Sequence, residues 1–310
     1  MINIFTSTGA KLLNHPEVIR RIKTNKRSAP ISLQVGPTSR CNLNCVFCSN
    51  ANRTKHEDID LDKIVKLMHT LRAKGLKTVE FTGGGEPTMY QYINELIREA
   101  AKIGLEQGMI TNGILLSDKI EQKNLDLLKW VRVSINCLEY VQSIDLPVIK
   151  GTLGFSYVIN EKRTTDVMER IGQHVDKYKP QYVRIVTNCL ATDSEQEHNN
   201  QFYEKEVRRW GAPYFYQPKI FQRPSVCYWC YIKPFVLHDG YVYPCSSVVL
   251  NSQADGKFHS KYRWVKMGKL PEMYDKKMVP FPTDNCDHCV FKTQNDIIEM
   301  ILKPEMGNFV

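Results

Sequence analysis

The sequence predicts an α/β fold followed by a smaller region rich in cysteine. Between about residues 31 and 190, short apolar strands alternate with segments whose apolar residues recur at helical spacing. Six strand–helix units indicate a parallel sheet with right-handed crossovers, because each helix returns the chain to the same end of the sheet. A closed barrel needs eight such units, so an open partial barrel and a doubly wound sheet both fit.

The predicted elements follow one another closely. A helical lead-in covers residues 1–30, and the first strand ends where Gly36 and Pro37 break its alternation. Glycines close the next two helices, and Gly75 suits a C-cap. In chain order, we expect strands at 31–37, 77–82, 106–111, 131–137, 151–160 and 182–189, and helices at 60–74, 90–103, 118–130 and 165–180.

The alternation stops near residue 195, where polar residues lead into a short predicted helix at 201–210. From residue 211 onward, prolines, aromatic residues and cysteines dominate. We therefore predict a lead-in at 1–30, a core domain at 31–200 and a small C-terminal domain at 201–310.

Composition and charge exclude several classes of protein. The first residues lack the basic start and apolar run of a signal peptide, and no apolar stretch approaches the ~20 residues needed to cross a bilayer. We expect a soluble, cytoplasmic protein with no membrane partner. The net charge of +9 fits a solvated basic surface, an anionic substrate or a nucleic acid. No recognition helix, aromatic RNA-binding signature or zinc-finger spacing supports a nucleic-acid partner.

Three cysteines directly follow the first strand. Cys41, Cys45 and Cys48 have the spacing C-x3-C-x2-C. In a reducing compartment such a group indicates metal or catalysis; zinc, an iron–sulfur cluster and a redox disulfide all remain possible. Structural zinc takes four ligands, and no fourth cysteine or histidine lies close by at ligand spacing. Three thiolates on a four-iron cluster would leave one iron open for a substrate or cofactor.

The triple-cysteine motif, with Phe47 before its last cysteine, resembles the signature of the radical S-adenosylmethionine (SAM) superfamily. Supporting motifs follow in order: "FTGGGEP" at 81–87, "ITNG" at 110–113 and "VSIN" at 133–136 resemble the ends of that family's second, third and fourth strands. The resemblance covers about residues 31–190 and implies a partial (β/α)6 TIM-like barrel. It implies SAM contacts at Phe47, Gly83, Gly84, Gly85, Glu86, Pro87, Thr111, Asn112, Ser134 and Val158.

The resemblance also implies the chemistry. A [4Fe-4S] cluster on Cys41, Cys45 and Cys48 would bind the amino and carboxylate groups of SAM through its open iron. One electron, from a donor such as flavodoxin or ferredoxin, would release a 5′-deoxyadenosyl radical, which takes a hydrogen atom from the substrate. The protein's share is to orient the reactants and to exclude water and oxygen.

A second cysteine group lies in the C-terminal region. Nine residues separate Cys230 from Gly240, four more separate Gly240 from Cys245, and Cys286-x2-Cys289 comes later. This layout resembles the twitch domain of the same superfamily, a shortened form of the SPASM domain, and implies one auxiliary [4Fe-4S] cluster. Asp239-Gly240 suits the tight turn of a hairpin that presents Cys245. The fourth ligand is Cys230, favoured by the glycine spacing, or Cys227; a structural zinc on the same thiolates is the rival.

Other cysteines and one arginine have less certain roles. Cys227 is a candidate hydrogen-atom donor, and Cys189, at the end of the sixth strand, is its rival; Cys137 ends the fourth strand. Free cysteines are otherwise small buried hydrophobes. Arg184 lies in the middle of a strand, where a charge needs a partner. It contacts a carboxylate of the cofactor or substrate, or forms an ion pair at the sheet edge.

The sequence leaves the substrate open. The first hypothesis is hydrogen abstraction from a peptide or small molecule, ending in epimerisation, cross-linking or dehydrogenation. The alternative is a radical dehydrogenase or epimerase of a sugar or aminocyclitol. Only about 30 residues precede the first strand, which leaves no room for a winged leader-peptide-binding domain and weighs against the peptide. A third hypothesis, a non-catalytic metal-bearing nucleic-acid-binding protein, leaves the glycine-rich segment unexplained.

Overall fold

A computed structural model describes residues 4–6, 8–51, 53, 56–247, 260–284, 286 and 289–303. Within these ranges the strands are β1 (Ser32–Gly36), β2 (Thr78–Phe81), β3 (Glu106–Thr111), β4 (Leu128–Ser134), β5 (Thr152–Ile159), β6 (Tyr182–Thr187), β7 (Tyr214–Tyr216), β8 (Phe235–Leu237), β9 (Tyr241–Tyr243) and β10 (Val265–Lys266).

The described helices lie between the strands and at both ends of the chain. They are α1 (Pro16–Asn25), α2 (Leu61–Lys74), α3 (Ile93–Lys102), α4 (Leu116–Lys119), α5 (Gln122–Leu125), α6 (Thr165–Tyr178), α7 (Asp193–Trp210), α8 (Leu270–Met273) and α9 (Lys292–Leu302).

All ten strands belong to one sheet, in the order β10-β9-β8-β1-β2-β3-β4-β5-β6-β7. Strands β1 to β7 are parallel and follow sequence order, as expected when each crossover returns the chain to the neighbouring position. On the other side of β1, β8 pairs with it in parallel, and β8, β9 and β10 continue antiparallel. The predicted partial barrel followed by a C-terminal hairpin is confirmed.

The two faces of the barrel strands carry different residues. One face is apolar and fully buried under the helices; its members include Leu33, Val79, Met109, Val131 and Ile185. The alternate positions are polar or charged and line an internal cavity; they include Gln34, Glu80, Arg132 and Arg184. Because side chains alternate along a strand, this pattern places the core outside the barrel wall and a polar space inside it.

The fourth strand begins three residues earlier than predicted. Residues 118–130 were expected to form one helix, but they form α4, α5 and the start of β4. The strand then ends at Ser134, and the chain turns into a 3-10 segment, Ile135–Glu139, because the Asn136 side chain bonds to the backbone N–H and C=O of Val158 on β5. Cys137 therefore lies in this turn and does not end the strand.

Helix α7 starts eight residues before the predicted helix at 201–210. Thr192 caps it: its hydroxyl accepts from the Glu195 N–H, and the Glu195 carboxylate accepts from the Thr192 N–H. A domain boundary near residue 200 would fall inside this helix, and the helix leads into β7, a seventh parallel strand absent from the prediction. The domain limits themselves stay a prediction. Among the described residues, no helix combines the length and apolar character needed to span a membrane.

Candidate active site

The loop that carries Cys41, Cys45 and Cys48 leaves the carboxyl end of β1. Its start is fixed to the segment before α2: the Ser39 N–H donates to the Glu57 carbonyl at 2.8 Å, and the Thr38 hydroxyl donates to the Asp58 carboxylate at 2.6 Å. Arg53, which follows the loop, connects the end of the loop to its start, because its Nε donates to the Ser39 carbonyl at 2.7 Å. All three cysteines are partly exposed, so their thiols remain accessible.

The pKa shifts of Cys41 and Cys45 fit a loop that binds a metal. Burial, helped by the neighbouring Cys48 and Cys41, raises the pKa of Cys45 to about 12, and burial also raises the pKa of Cys41. Deprotonation of Cys41 and Cys45 is therefore favoured by a nearby cation, which metal binding supplies. Arg53 adds a positive charge, since its guanidinium Nη1 lies 3.8 Å from the Cys48 sulfur. A cavity of about 470 Å³ opens beside Cys41.

The glycine-rich segment after β2 packs directly on this loop. The Gly85 N–H donates to the Thr38 carbonyl at 2.7 Å, and the Glu86 N–H donates to the Arg40 carbonyl at 2.7 Å. A side chain at Gly85 would collide with the Arg40 carbonyl, so glycine is required for this approach. Gly83 and Gly84 are similarly crowded, and Pro87 is buried at the start of a 3-10 turn, Pro87–Met89.

The carboxylate of Glu86 joins the ends of β2 and β3. It is buried and accepts hydrogen bonds from the Thr111 hydroxyl at 2.6 Å, the Asn112 N–H at 2.7 Å and the Thr88 hydroxyl at 2.9 Å. Burial raises its pKa, and these donors oppose that rise. The Asn112 amide then donates to the Asn42 side chain of the cysteine loop at 2.7 Å. The side chains of Glu86, Thr111 and Asn112 are thus engaged within the protein, and their contact with SAM stays a prediction.

The carboxyl ends of β4 and β5 lie at the same end of the sheet as the cysteine loop, and this end of the barrel is here called the mouth. Ser134 lies opposite Ser156 in the strand pairing, is partly exposed, and makes no side-chain capping bond. The backbone of Val158 bonds to the Asn136 amide, with its N–H donating to Oδ1 at 2.7 Å. Phe47, in the cysteine loop, is also partly exposed. Contact of Ser134, Val158 and Phe47 with SAM stays a prediction.

Two residues at this mouth were missed by the sequence analysis. Glu139 accepts from the Asn136 and Asn160 amides through Oε1, whereas its Oε2 is buried with no hydrogen-bond partner among the described residues. Tyr140 receives the Val46 N–H at 3.2 Å, and both Tyr140 and Glu139 lie close enough to Cys45 to affect its pKa. The Glu139 carboxylate also lies near the Tyr157 hydroxyl, whose pKa it helps burial to raise, so Glu139 places a polar group beside the cysteine loop. Only their position, just past "VSIN", could have indicated them.

Arg184 lies on the inner face of β6, opposite Ser156. Its Nη1 donates to the Gln217 side chain at 3.1 Å, and its Nε is buried without a hydrogen-bond partner among the described residues. Burial, together with Arg132, lowers its pKa to about 9. No described carboxylate pairs with it, so the ion pair considered from the sequence is not formed by these residues.

The cysteines of the second group are buried together with Cys227. Cys227, Cys230, Cys245, Cys286 and Cys289 all have exposed fractions of 9% or less. After burial itself, the charges that raise the pKa of Cys245 are those of Cys227, Cys289 and Cys286. For Cys230 they are Cys227 and Cys245. Cys227 thus interacts electrostatically with Cys230, Cys245, Cys286 and Cys289, and Cys230 interacts in the same way with Cys227 and Cys245.

The predicted hairpin that presents Cys245 is present as β8 and β9, and its turn contains Gly240 at φ 74°. The predicted C-x2-C turn falls partly on residues 287 and 288, which lie outside the described residues. Cys189 lies two residues past the end of β6, near Arg184 and Lys219. Across the described ranges, no three Cys, His, Asp or Glu side chains converge as a single metal ion would require.

The sequence was then compared with known proteins. A family model described as the radical SAM superfamily matches residues 35–143, which contain the cysteine loop, the glycine-rich segment and β4. Residues 35–143 thus resemble a radical SAM domain. Among curated proteins, GTP 3',8-cyclase of Clostridium botulinum (strain Okra / Type B1) is 35% identical over 113 residues, which are 34% of this chain and 35% of that protein. The chain thus spans about a third of the length of such relatives.

Solved structures resemble more of the chain than the radical SAM domain alone. Streptococcus suis SuiB bound to precursor peptide SuiA has a TM-score of 0.55 at 12% identity, covering 94% of this chain and 77% of that chain. Native anSMEcpe with bound AdoMet and Kp18Cys peptide has a TM-score of 0.53 at 14% identity, covering 88% and 84%. At such identities the likeness is one of fold alone.

Proposed function

We propose that this chain is a radical SAM enzyme that takes a hydrogen atom from a small-molecule substrate held inside the barrel. The observation that carries the proposal is the meeting of three elements at one end of the sheet. The Cys41–Cys48 loop, the glycine-rich segment and the end of β3 are joined there by the Gly85–Thr38 and Asn112–Asn42 hydrogen bonds. The carboxyl ends of parallel strands are the usual place for an active site.

Cys41, Cys45 and Cys48 would hold a [4Fe-4S] cluster, and the mouth formed by Gly83–Glu86, Ser134, Val158 and Glu139 would hold SAM. When bound and reduced by one electron, this pair supplies a 5′-deoxyadenosyl radical. The chain's own residues position the cysteine loop. Arg53 lies at the Cys48 end of this loop, and the glycine-rich segment packs on the Cys41 end. We expect flavodoxin or ferredoxin as the electron donor.

The internal cavity supports a small molecule over a peptide. Its volume is about 670 Å³, within the usual range for small-molecule sites. The strands form one side of it, and residues from the segments 4–6, 8–15, 217–220 and 290–294 line the other. The names of similar proteins are consistent with either a small-molecule or a peptide substrate, since one is a GTP cyclase and SuiB is described with a precursor peptide. A sugar or aminocyclitol would also fit the volume.

The C-terminal cysteines would hold a second [4Fe-4S] cluster. Its ligands on this proposal are Cys245, Cys286, Cys289 and Cys227, because the buried Cys227 interacts electrostatically with the other three. Cys230, which interacts with Cys227 and Cys245, is the alternative fourth ligand that the glycine spacing favours. Cys227 is 5% exposed and does not line the internal cavity, which disfavours it as a hydrogen-atom donor to a substrate there. Cys189 does not line the cavity either, although it lies near Arg184.

The first test is reconstitution of the protein with iron and sulfide without oxygen. Two clusters predict about eight irons per chain and, with dithionite and SAM, formation of 5′-deoxyadenosine. Cys45→Ala should lose about half of the iron and all of this product, because two thiolates do not hold the first cluster. Cys189→Ala is the matched control and should keep its iron. Full product formation by Cys45→Ala, or two zinc ions and no iron in the parent protein, would refute the proposal.

Turnover in deuterated water separates the reaction types. Deuterium retained at one product carbon indicates return of a hydrogen atom, as in epimerisation. A product two mass units lighter than the substrate indicates dehydrogenation or cross-linking.

A further inference from the structure

The internal cavity of the barrel has an excess of positive charge. Five Lys or Arg side chains line it, against a single carboxylate, that of Glu80. The described cationic residues at the cavity are Lys11, Arg132, Arg184, Lys219 and Lys233. Lys11 is exposed, whereas the other four cations are partly buried. Since charges withdrawn from water are normally paired, an excess of this kind needs an explanation.

The single carboxylate is already engaged. Glu80 receives hydrogen bonds from the Lys233 ammonium and from the Gln34 amide, the latter at 3.1 Å. Burial acts to raise the pKa of Glu80, but Lys233 outweighs it and holds the pKa below its usual value. Glu80 and Lys233 therefore form a largely buried ion pair, and Arg132 acts on the same carboxylate electrostatically without an ion pair to it among the described residues.

Arg132, Arg184 and Lys219 form the unneutralised part, here called the cationic cluster. The Nε atoms of Arg132 and Arg184 are buried without hydrogen-bond partners among the described residues. The two arginines also lower the pKa of Lys219, after the larger effect of burial. Cys189 partly offsets this repulsion at Lys219 and Arg184, and an anion that joins the three cations would stabilise them further.

The surrounding structure holds the cationic cluster in place. Arg132 lies over the Trp130 ring, with its guanidinium carbon 5.8 Å from the ring centroid. The backbone carbonyl of Lys219 accepts from the Asn200 amide of α7 at 2.8 Å, and Tyr216 donates to the same Asn200 side chain. Arg184 is fixed by Gln217. The three cations are thus carried by β4, β6 and the segment after β7, and they need little rearrangement to bind a ligand.

We propose that Arg132, Arg184 and Lys219 bind an anionic oxygen group, a phosphate or a carboxylate, of the small-molecule substrate. The inference rests on the proposed function only in calling that molecule the substrate. Arg184 lies in the same row as Ser134 and Ser156 across β4, β5 and β6. The anionic group would therefore anchor the molecule on the inner wall, directly below the mouth where SAM is expected. Guanidinium groups suit such oxygen anions, because they donate two parallel hydrogen bonds.

The test is calorimetric titration of the full-length protein with inorganic pyrophosphate, with malonate as the carboxylate probe, at fixed ionic strength and without SAM. We expect saturable binding of at least one probe, and the tighter one identifies the anion class. Lys219→Met and Arg132→Met should each weaken it about tenfold or more, because each loses hydrogen bonds to a charged group. Arg132→Lys should recover part of the loss. Lys129→Met, at an exposed position three residues before Arg132 on β4, is the matched control and should bind as the parent does.

Thermal unfolding provides a second measurement that does not depend on catalysis. Removing one of three repelling cations should leave the melting temperature of Lys219→Met unchanged or higher, and the tighter probe should raise it for the parent but not for the variant. A lower melting temperature with unchanged binding would assign the lysine a structural role and overturn the proposal. Absence of binding of either probe at millimolar concentration would also overturn it. A parent that binds pyrophosphate but forms no 5′-deoxyadenosine would instead refute the proposed function and leave the anion site standing.

Discussion

The two cysteine groups lie at opposite ends of β1 and differ in exposure. Cys41, Cys45 and Cys48 follow the carboxyl end of the strand and are partly exposed, whereas the C-terminal cysteines are buried. The backbone N–H groups of Ile31 and Ser32 donate to the Ile232 carbonyl, which places the Cys227–Cys230 segment at the amino end of β1. A site that must admit a cofactor needs an open side, and a site fully ligated by protein does not.

The two groups are also held by different means. Backbone hydrogen bonds from Ser39, Gly85 and Glu86 fix the first loop. The second group depends on a side chain: the Oδ1 atom of buried Asn295 on α9 accepts from the N–H groups of Tyr228 and Trp229, at 2.7 and 3.0 Å. The first site is therefore sensitive to changes in the chain's path, and the second to loss of single side chains.

The largest effect that would sharpen this comparison is expected at Cys227. On our assignment, Cys227→Ala lowers the iron content by about four atoms per chain, because the buried cluster loses one of its four thiolates. Cys230→Ala is the matched variant and should keep the iron, with at most a small loss of stability from its buried volume. Iron analysis and the visible absorption spectrum distinguish the two. If Cys230→Ala loses the iron and Cys227→Ala does not, the original glycine-spacing prediction is correct.

The next effect concerns the backbone of the first site. Gly85→Ala should lower the free energy of unfolding by about 3 kcal/mol and reduce iron at the first cluster, because the new methyl group meets the Arg40 carbonyl. Gly172→Ala is the control, since no atom lies within 4 Å of a Cβ there and its helix should gain about 1 kcal/mol. Denaturant unfolding of the metal-free proteins measures both. Equal stability of the two variants would mean that the loop adapts freely.

A smaller effect is expected at Asn295. Asn295→Ala leaves two buried N–H groups without an acceptor and should cost about 2 kcal/mol. Asn295→Asp keeps the acceptor oxygen and should recover most of the iron of the second site, while the first site is unaffected by either change. Loss of 5′-deoxyadenosine formation in Asn295→Ala, with SAM bound normally, would contradict the separation of the two sites.

The sequence predicted most of the barrel because its strands and helices carry clear periodic patterns. It failed where tertiary contacts decide. Residues 128–130 read as helix, but Trp130 lies over Gly108 of the neighbouring strand and so belongs to β4. β7 has only three residues, too few for a pattern. The first cysteine loop was predictable from its motif, whereas the choice between Cys227 and Cys230 depends on which thiols meet in space.

The cationic cluster left a weaker signal. Arg132 and Arg184 each stand in the middle of an apolar strand, at the alternate positions that face the cavity. The analysis of Arg184 considered an acidic partner, and only the structure brings it beside Arg132 and Lys219 without one. Arg132 and Arg184 lie on β4 and β6, which are separated by β5. The sequence alone does not show that these two arginines lie near each other, because that depends on the register of the three strands.

The pairing of β8 with β1 has a consequence for electron transfer. Because both strands belong to one sheet, the distance between the two proposed clusters is set by the length of β1 and its flanking loops, with the five residues of the strand contributing roughly 17 Å. The cavity lies along this length. Its lining includes Trp229 and Ser246, which adjoin Cys230 and Cys245 in the sequence. If the C-terminal cysteines hold the proposed second cluster, an electron leaving a substrate radical in the cavity would have an acceptor toward the amino end of β1.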